Sequence, residues 1–282
     1  MWKFSNVIGF DYKYLNWKYI SRLLFSTTTL FCSVYLNLLS SSIAGYRTPW
    51  IHILDVHGNL TNSISLPDIG HDILPYIDWF ELPNYFIELN LYLFLFLFFF
   101  HPKKFQIFRR STMILSIIYI LRSYTVLVTS LPDASPLCYS QFTDPVHGAY
   151  KMNKMFPDVF FRAFNILKSG GKKITCGDMI FSGHASLLIL LSLSFQQYCY
   201  PTLYFTYPIC LYLKRITFII SAFGIVSIIA TRLHYTLDVS IAIYLTYRVW
   251  TEYHTIVQVA SLKNRNIILR WLESDEILKI EG

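Results

Sequence analysis

The sequence predicts an all-α membrane protein with six transmembrane helices, and three observations carry that prediction. Apolar residues make up 54% of the 282, with 23 Phe and 21 Tyr among the aromatics. Charged residues are only 15%, where a soluble domain carries about 25%. The apolar residues also fall in long runs, and mean hydropathy is +0.42. A soluble globule would struggle to hide so much apolar surface, which makes the bilayer the natural solvent. The same composition excludes a disordered tail, an acidic solvating protein, a collagen-like repeat and a disulfide-packed miniprotein. The net charge of +7 and pI near 9.0 are read as cytoplasmic ends and contacts with anionic lipid, with no nucleic acid partner.

Each span rests on a run approaching the roughly 20 apolar residues that cross the hydrocarbon core. The first runs from about Ile20 to Ala44, with Arg22 at its edge. The second covers Tyr85 to Phe100 (YFIELNLYLFLFLFFF) and stops before His101-Pro102. The third runs from Ser111 to Ser130 and encloses Arg122. Met179–Cys199 makes a fourth, and Ile216–Thr231 a fifth that needs a few flanking residues. Leu237–Val257 is the sixth, interrupted by Arg248. Unbroken hydrophobicity, as in Leu91–Phe100, selects helices over the alternating strands of an outer-membrane barrel. The first span is too long for a cleaved signal peptide, and Lys3, Lys13 and Lys18 precede it. The expected organisation is a cytoplasmic segment over 1–19, a six-span catalytic domain over 20–258 and a cytoplasmic tail over 259–282. The tail reads equally as a charged extension or as an interfacial helix, since Ile267, Ile268, Trp271 and Leu272 recur at helical spacing.

Six alternating spans put most of the 24 Lys and Arg on one side, in the N-terminal segment, two links and the tail. Most of the remainder lie in one long loop, 131–178, which crosses with less regard to charge. Both termini are therefore expected in the cytoplasm. The sequon Asn59-Leu60-Thr61 then falls in a lumenal loop, and Asn59 is a candidate glycosylation site.

Two segments bring candidate chemistry to the membrane face. CGDMIFSGH, Cys176 to His184, opens the fourth span, and HYTLDV, His234 to Val239, opens the sixth. Two crossings separate them, so both face one compartment, lumenal or extracellular on this orientation. His234 and Asp238 are four apart, so on a helix they share a face. A carboxylate bonded to one imidazole nitrogen fixes the tautomer and frees the other as nucleophile or base. His184 supplies a proton donor, while Ser182 and Gly183 let backbone approach a phosphate. The bland alternative for each motif alone is a satisfied interfacial pair. A third reading, zinc held by two His and one Asp, lacks a further ligand nearby, so no metal is expected.

CGDMIFSGH and HYTLDVSIAIY resemble the two catalytic motifs of the sphingomyelin synthase family, C-G-D-x-x-x-S-G-H-T and H-Y-T-x-D-V-x-x-x-Y. Leu66-Pro67-Asp68 resembles that family's P-P-L-P-D segment. Arg122 through Thr129-Ser130-Leu131-Pro132 resembles its arginine-to-T-x-L-P segment. The similarity runs from about Leu66 to His254. Ala185 stands where the family has Thr, Ser65 where it has the second Pro, and Ile228 where the superfamily's phosphatases carry arginine. The resemblance implies a lipid phosphate phosphatase-like helical bundle and a ceramide phosphotransferase without cofactor or metal. His234 would be the nucleophile and pass through a phosphohistidine, with Asp238 as its brace and His184 as acid and base. The substrates implied are a phospholipid donor and ceramide in the bilayer. The head group is foremost phosphocholine from phosphatidylcholine, with phosphoethanolamine or phosphoinositol as alternatives. A Golgi or plasma-membrane setting is implied as well, and a homo-oligomer is compatible with it.

Other side chains keep two readings. Arg122 either pairs with Glu88 or holds a substrate phosphate. Asp178 either caps the fourth helix or lines the head-group site, where Tyr235 is a candidate ring for a quaternary amine. Cys138 and Cys176 share the lumenal loop and are a candidate disulfide. The rival functions are a lipid phosphatase, using water as acceptor, and a transporter.

Overall fold

In the computed structural model the described residues are 17–47, 53–54, 60–61, 66–134, 152–168, 177–201 and 205–273. Helices form at all six expected stretches, because in a bilayer only internal hydrogen bonding satisfies the backbone. They are α1 (Trp17–Arg47), α3 (Leu82–Phe100), α4 (Lys104–Val128), α6 (Gly183–Tyr198), α7 (Tyr207–Ala230) and α8 (Thr236–Gln258). Between them lie a two-residue antiparallel pair, β1 (Ile53–Leu54) with β2 (Leu60–Thr61), and the short α2 (Ile69–Ile73). The remaining helices are α5 (Met152–Lys168), α9 (Ala260–Arg265) and α10 (Ile267–Leu272). Proline in the first turn starts both α3 and α7, where its missing N–H costs nothing.

Among the described residues, four helices are long and apolar enough to cross a membrane: Tyr19–Gly45, Leu82–Phe100, Lys104–Val128 and Tyr207–Ala230. The count of six spans is not reached on these grounds. α6 has only 16 residues, about 24 Å at 1.5 Å per residue. The apolar start of the expected fourth span, Met179 to Ser182, is instead an irregular loop. α8 is long enough, but its Arg248–Glu252 pair and its Thr and Tyr residues dilute the hydropathy. The third and fifth helices begin earlier than the apolar runs, and so enclose Arg109, Arg110, Lys214 and Arg215.

α6 is the central element and packs against α3, α4, α7 and α8, while α1 lies along α4. Its fully buried Ala185, Leu188 and Phe195 meet Leu97, Ile114, Ile118, Ile228 and Ala242. Close approach relies on a small residue: a Cβ on Gly224 of α7 would sit 2.7 Å from Leu188 Cδ1 and 3.1 Å from Phe86 Cβ. Ser221 Oγ donates to the Leu188 carbonyl at 3.0 Å and accepts from Asn90 Nδ2 at 3.1 Å, linking α7, α6 and α3. One element lay hidden in the sequence. α5 packs on α1 through Val159, Ala163 and Ile166, whose helical spacing was the available signal. α10 forms where Ile267, Ile268, Trp271 and Leu272 recur at helical spacing, and Leu272 and Glu273 at its end are fully buried.

Glu273 anchors the bundle at the end away from the two histidine motifs. Its Oε2 accepts from Arg109 at 3.1 Å and Arg110 at 2.8 Å, and Tyr253 Oη donates to Oε1 at 3.2 Å. Burial alone would raise this carboxyl, but the Arg110 bond and charge, then Arg109, reverse it and hold the value below the ordinary range. Removing one partner leaves buried charge behind, at a cost of about 3–5 kcal/mol. Glu273→Ala is therefore expected to lower the unfolding temperature in detergent clearly; an unchanged melt would show that this cluster contributes no net stability.

Candidate active site

The site is assembled around one guanidinium. Arg122, on α4, donates through Nε to the Phe181 carbonyl at 2.8 Å and through one terminal nitrogen to Asn37 Oδ1 at 2.8 Å. Its other terminal nitrogen meets Asp178 Oδ2 at 2.8 Å and the Asp178 carbonyl at 3.2 Å. Ser41 Oγ adds a bond to Asp178 Oδ2 at 3.0 Å. One expected role for Arg122, the pairing with Glu88, is thereby corrected. Its partner is Asp178, not Glu88, which is exposed on α3, and each of its three nitrogens donates to a protein oxygen. Asp178 likewise does not cap α6; the Ser182 side chain does, accepting from the Ala185 amide at 3.3 Å. The loop that carries these groups turns at Gly177 (φ 80°), a left-handed position suited to glycine. It turns again at Phe181 (φ 72°), where a non-glycine residue costs about 1–3 kcal/mol. The fully buried Phe181 ring and the Arg122 bond hold that strained turn.

The two histidine motifs do converge, with ring centroids of His184 and His234 6.2 Å apart. The link between His234 and Asp238 differs from expectation. α8 begins at Thr236, with Tyr235 as its extended N-cap (ψ 156°), so His234 precedes the helix and the four-residue helical rule does not apply to it. Asp238 Oδ2 instead accepts from the Tyr235 amide at 3.1 Å, at the start of α8. His234 Nδ1 donates to the Met179 carbonyl at 3.1 Å. That carbonyl performs the task expected of the aspartate: it fixes the Nδ1–H tautomer and leaves the Nε2 lone pair for chemistry. Burial first, and then the charge of a protonated His184, pull the His234 imidazole well below its ordinary value and keep it neutral. His184 Nε2 donates to Asn84 Oδ1 on α3 at 3.1 Å, leaving Nδ1 to carry a proton.

The remaining residues frame this pair. Ser182 is fully buried and its hydroxyl is used as the α6 cap, while its amide donates to the Asp238 carbonyl at 3.4 Å. Tyr235 turns its hydroxyl away from the histidines, donating to the Pro132 carbonyl at 3.1 Å and accepting from the Leu66 amide at 3.1 Å. Asp133 holds the Gly177 amide with both carboxylate oxygens at 3.0 Å. Cys138, Cys176 and Asn59 lie outside the described residues. No group of three or more His, Cys, Asp or Glu is placed to hold a metal ion among the described residues. Asn84, Asn37, Ser41, Asp133 and the Met179 carbonyl escaped the sequence reading. Polar residues on otherwise apolar helices were the only signal for the first three.

Two outcomes are expected. A lysine at 122 can replace neither the fork nor its reach to three residues, so Arg122→Lys should lower turnover on the order of 10²-fold by loosening the loop; near-normal rates would refute the clamp. Asp133 is the second test. Burial, opposed by the Gly177 amide bond and reinforced by the charge of Asp178, raises its carboxyl from 3.8 to about 7. The folded state thus holds this proton more tightly than the unfolded one. The associated stability is full at low pH and is lost as pH rises through about 7. Asp133→Asn removes this dependence, so the wild type's melting temperature relative to the variant should fall across that window; a flat difference would contradict the assignment.

Comparison with known proteins supports the resemblance. The family model for the PAP2 superfamily C-terminal domain matches residues 175–255, which contain both histidine motifs. A human sphingomyelin synthase-related protein 1 is 29% identical over 209 residues, 73% of this chain and 47% of its own. A Caenorhabditis elegans phosphatidylcholine:ceramide cholinephosphotransferase 1 is 26% identical over 233 residues, 78% of this chain and 48% of its own. Human phosphatidylcholine:ceramide cholinephosphotransferase 2 is 31% identical over 160 residues, 55% of this chain and 40% of its own. The chain spans about half the length, or somewhat less, of the curated relatives it matches. The chain is thus similar to sphingomyelin synthase-related proteins and ceramide cholinephosphotransferases over much of its length, and the PAP2 superfamily C-terminal model matches it over the paired histidines.

Proposed function

We propose that the protein is a ceramide phosphotransferase that moves a phosphoalcohol, phosphocholine first among candidates, from a glycerophospholipid to ceramide. The observation that carries this reading is the facing pair of imidazoles, 6.2 Å apart, each with one nitrogen held by a protein oxygen. His234 Nε2 attacks the donor's phosphorus, and the bond from phosphorus to the diacylglycerol oxygen breaks. That oxygen takes a proton from His184, and the head group remains on His234 as a phosphohistidine. The primary hydroxyl of ceramide then passes its proton to His184 while its oxygen displaces His234 from phosphorus. One residue thus serves as acid and then as base in two-step covalent catalysis. His184 is the second residue of α6, so the positive end of that helix favours the phosphate. The basic residues gathered away from the histidines support a lumenal or extracellular site with cytoplasmic termini, in the Golgi or plasma membrane. The names of the cholinephosphotransferase relatives favour phosphatidylcholine as donor.

In this reading Asp238 supports the nucleophile through the start of α8. Asp238→Asn, which keeps a capping oxygen, should retain most turnover, whereas a loss of 10³–10⁴ would restore a triad-type bond to His234. The decisive assay supplies fluorescent ceramide with phosphatidylcholine, phosphatidylethanolamine or phosphatidylinositol vesicles in turn. Labelled phosphoceramide from the wild type and none from His234→Ala is the expected result. Full transfer by His234→Ala would overturn the proposal, and a phosphoalcohol released to water without labelled product would make the protein a hydrolase.

A further inference from the structure

The segment 66–77 ahead of α3 crosses the α7–α8 turn and binds three consecutive residues of it. Leu66 gives its amide to Tyr235 Oη at 3.1 Å. Asp68 Oδ2 accepts from the Thr236 amide at 2.8 Å, and its Oδ1 accepts from Thr236 Oγ1 at 2.6 Å. His71 Nε2 donates to the His234 carbonyl at 3.1 Å. Further along, the Ile77 amide donates to the Ala230 carbonyl at 3.0 Å. The strap sits so close that a Cβ on Gly70 would overlap Thr236 Oγ1 and come within 2.8 Å of Ile229 Cγ2. Asp68 Oδ1 also caps the strap's own turn, taking the Gly70 and His71 amides at 3.0 and 3.2 Å. One carboxylate thereby locks the strap internally and to α8 at once.

We infer that His71 is a positioning residue for His234, acting through that residue's carbonyl. The nucleophile precedes α8 and follows Arg232, whose left-handed φ of 54° closes the turn after α7. His234 therefore has no helical ladder to fix its peptide plane. Met179 holds its ring and His71 holds its carbonyl, so the two bonds fix its backbone and imidazole together. A nucleophile that alternately gains and loses a phosphoryl group must return to the same place on each turnover. A misplacement near 1 Å costs on the order of 10²-fold in rate. Gly70 is the seat that lets His71 reach.

This inference rests on the transferase reading, and the experiment separates the two. Purified full-length protein is assayed with fluorescent ceramide and phosphatidylcholine vesicles, kcat and KM are taken separately, and His234→Ala serves as control. His71→Leu, which loses the donor, is expected to lower kcat about 10- to 100-fold with KM for ceramide and the unfolding temperature unchanged. His71→Gln places an amide N–H where Nε2 stood and is expected to restore most of that loss. Gly70→Ala lifts the strap without altering the imidazole and should lower kcat in parallel. Wild-type kcat in His71→Leu or Gly70→Ala, or a Gln variant no better than Leu, overturns the positioning role while an inactive His234→Ala keeps the transferase reading. An active His234→Ala overturns that reading and this inference with it.

Discussion

The site depends on a buried guanidinium whose three nitrogens each donate to a protein oxygen. Arg122 reaches Asn37 on α1, the Asp178 carboxylate and the Phe181 carbonyl from its place on α4. An unpaired charge at that depth would cost several kcal/mol, so the loop before α6 is drawn to it. The position of that loop in turn presents the Met179 carbonyl and the start of α6. Arginine is the residue that can do this, because a rigid planar fork addresses several acceptors in one plane.

From the clamp follows the division of work between the histidines. His234 is oriented by a main-chain carbonyl and His184 by an amide side chain, so neither depends on a carboxylate in direct contact. Neutral acceptors orient both rings without placing a charge beside them. A carboxylate bonded to either ring would strengthen its hold on the proton, whereas carbonyl oxygens fix the tautomer with a smaller electrostatic pull. The carboxylates stand one step back: Asp238 on the cap of α8, Asp178 on Arg122, Asp68 on Thr236 and Asp133 on Gly177. Asp238, Asp68 and Asp133 each hold a backbone amide, and Asp178 pairs with the guanidinium.

The other end of the bundle uses the same device for a different purpose. Glu273 joins α10 to α4 and α8 through Arg109, Arg110 and Tyr253. His254 Nε2 and Tyr198 Oη lie 2.7 Å apart nearby, joining α8 to α6. Polar clusters thus tie both ends of an apolar middle in which the side chains of Leu188, Ile228 and Ala242 pack in one core. The middle supplies adhesion, and the ends set which helix sits beside which.

By itself the sequence determined the helical class, the place of six helices and the convergence of two histidine motifs. Continuous apolar runs are a local signal, and two intervening crossings bring His184 and His234 to the same end whatever the packing. It also marked Asp68, Arg122, Asp178 and Asp238 as residues of consequence. The tertiary structure alone decided what each one touches. Arg122 meets Asp178 from 56 positions away, and His234 meets Met179 from 55; spacing along the chain says nothing about such pairs. The register of α8 decided the rest. Its first turn opens at Thr236, two residues after His234, and that small offset passes the orienting bond from a side chain to a carbonyl, because a helical face exists only where the helix has begun.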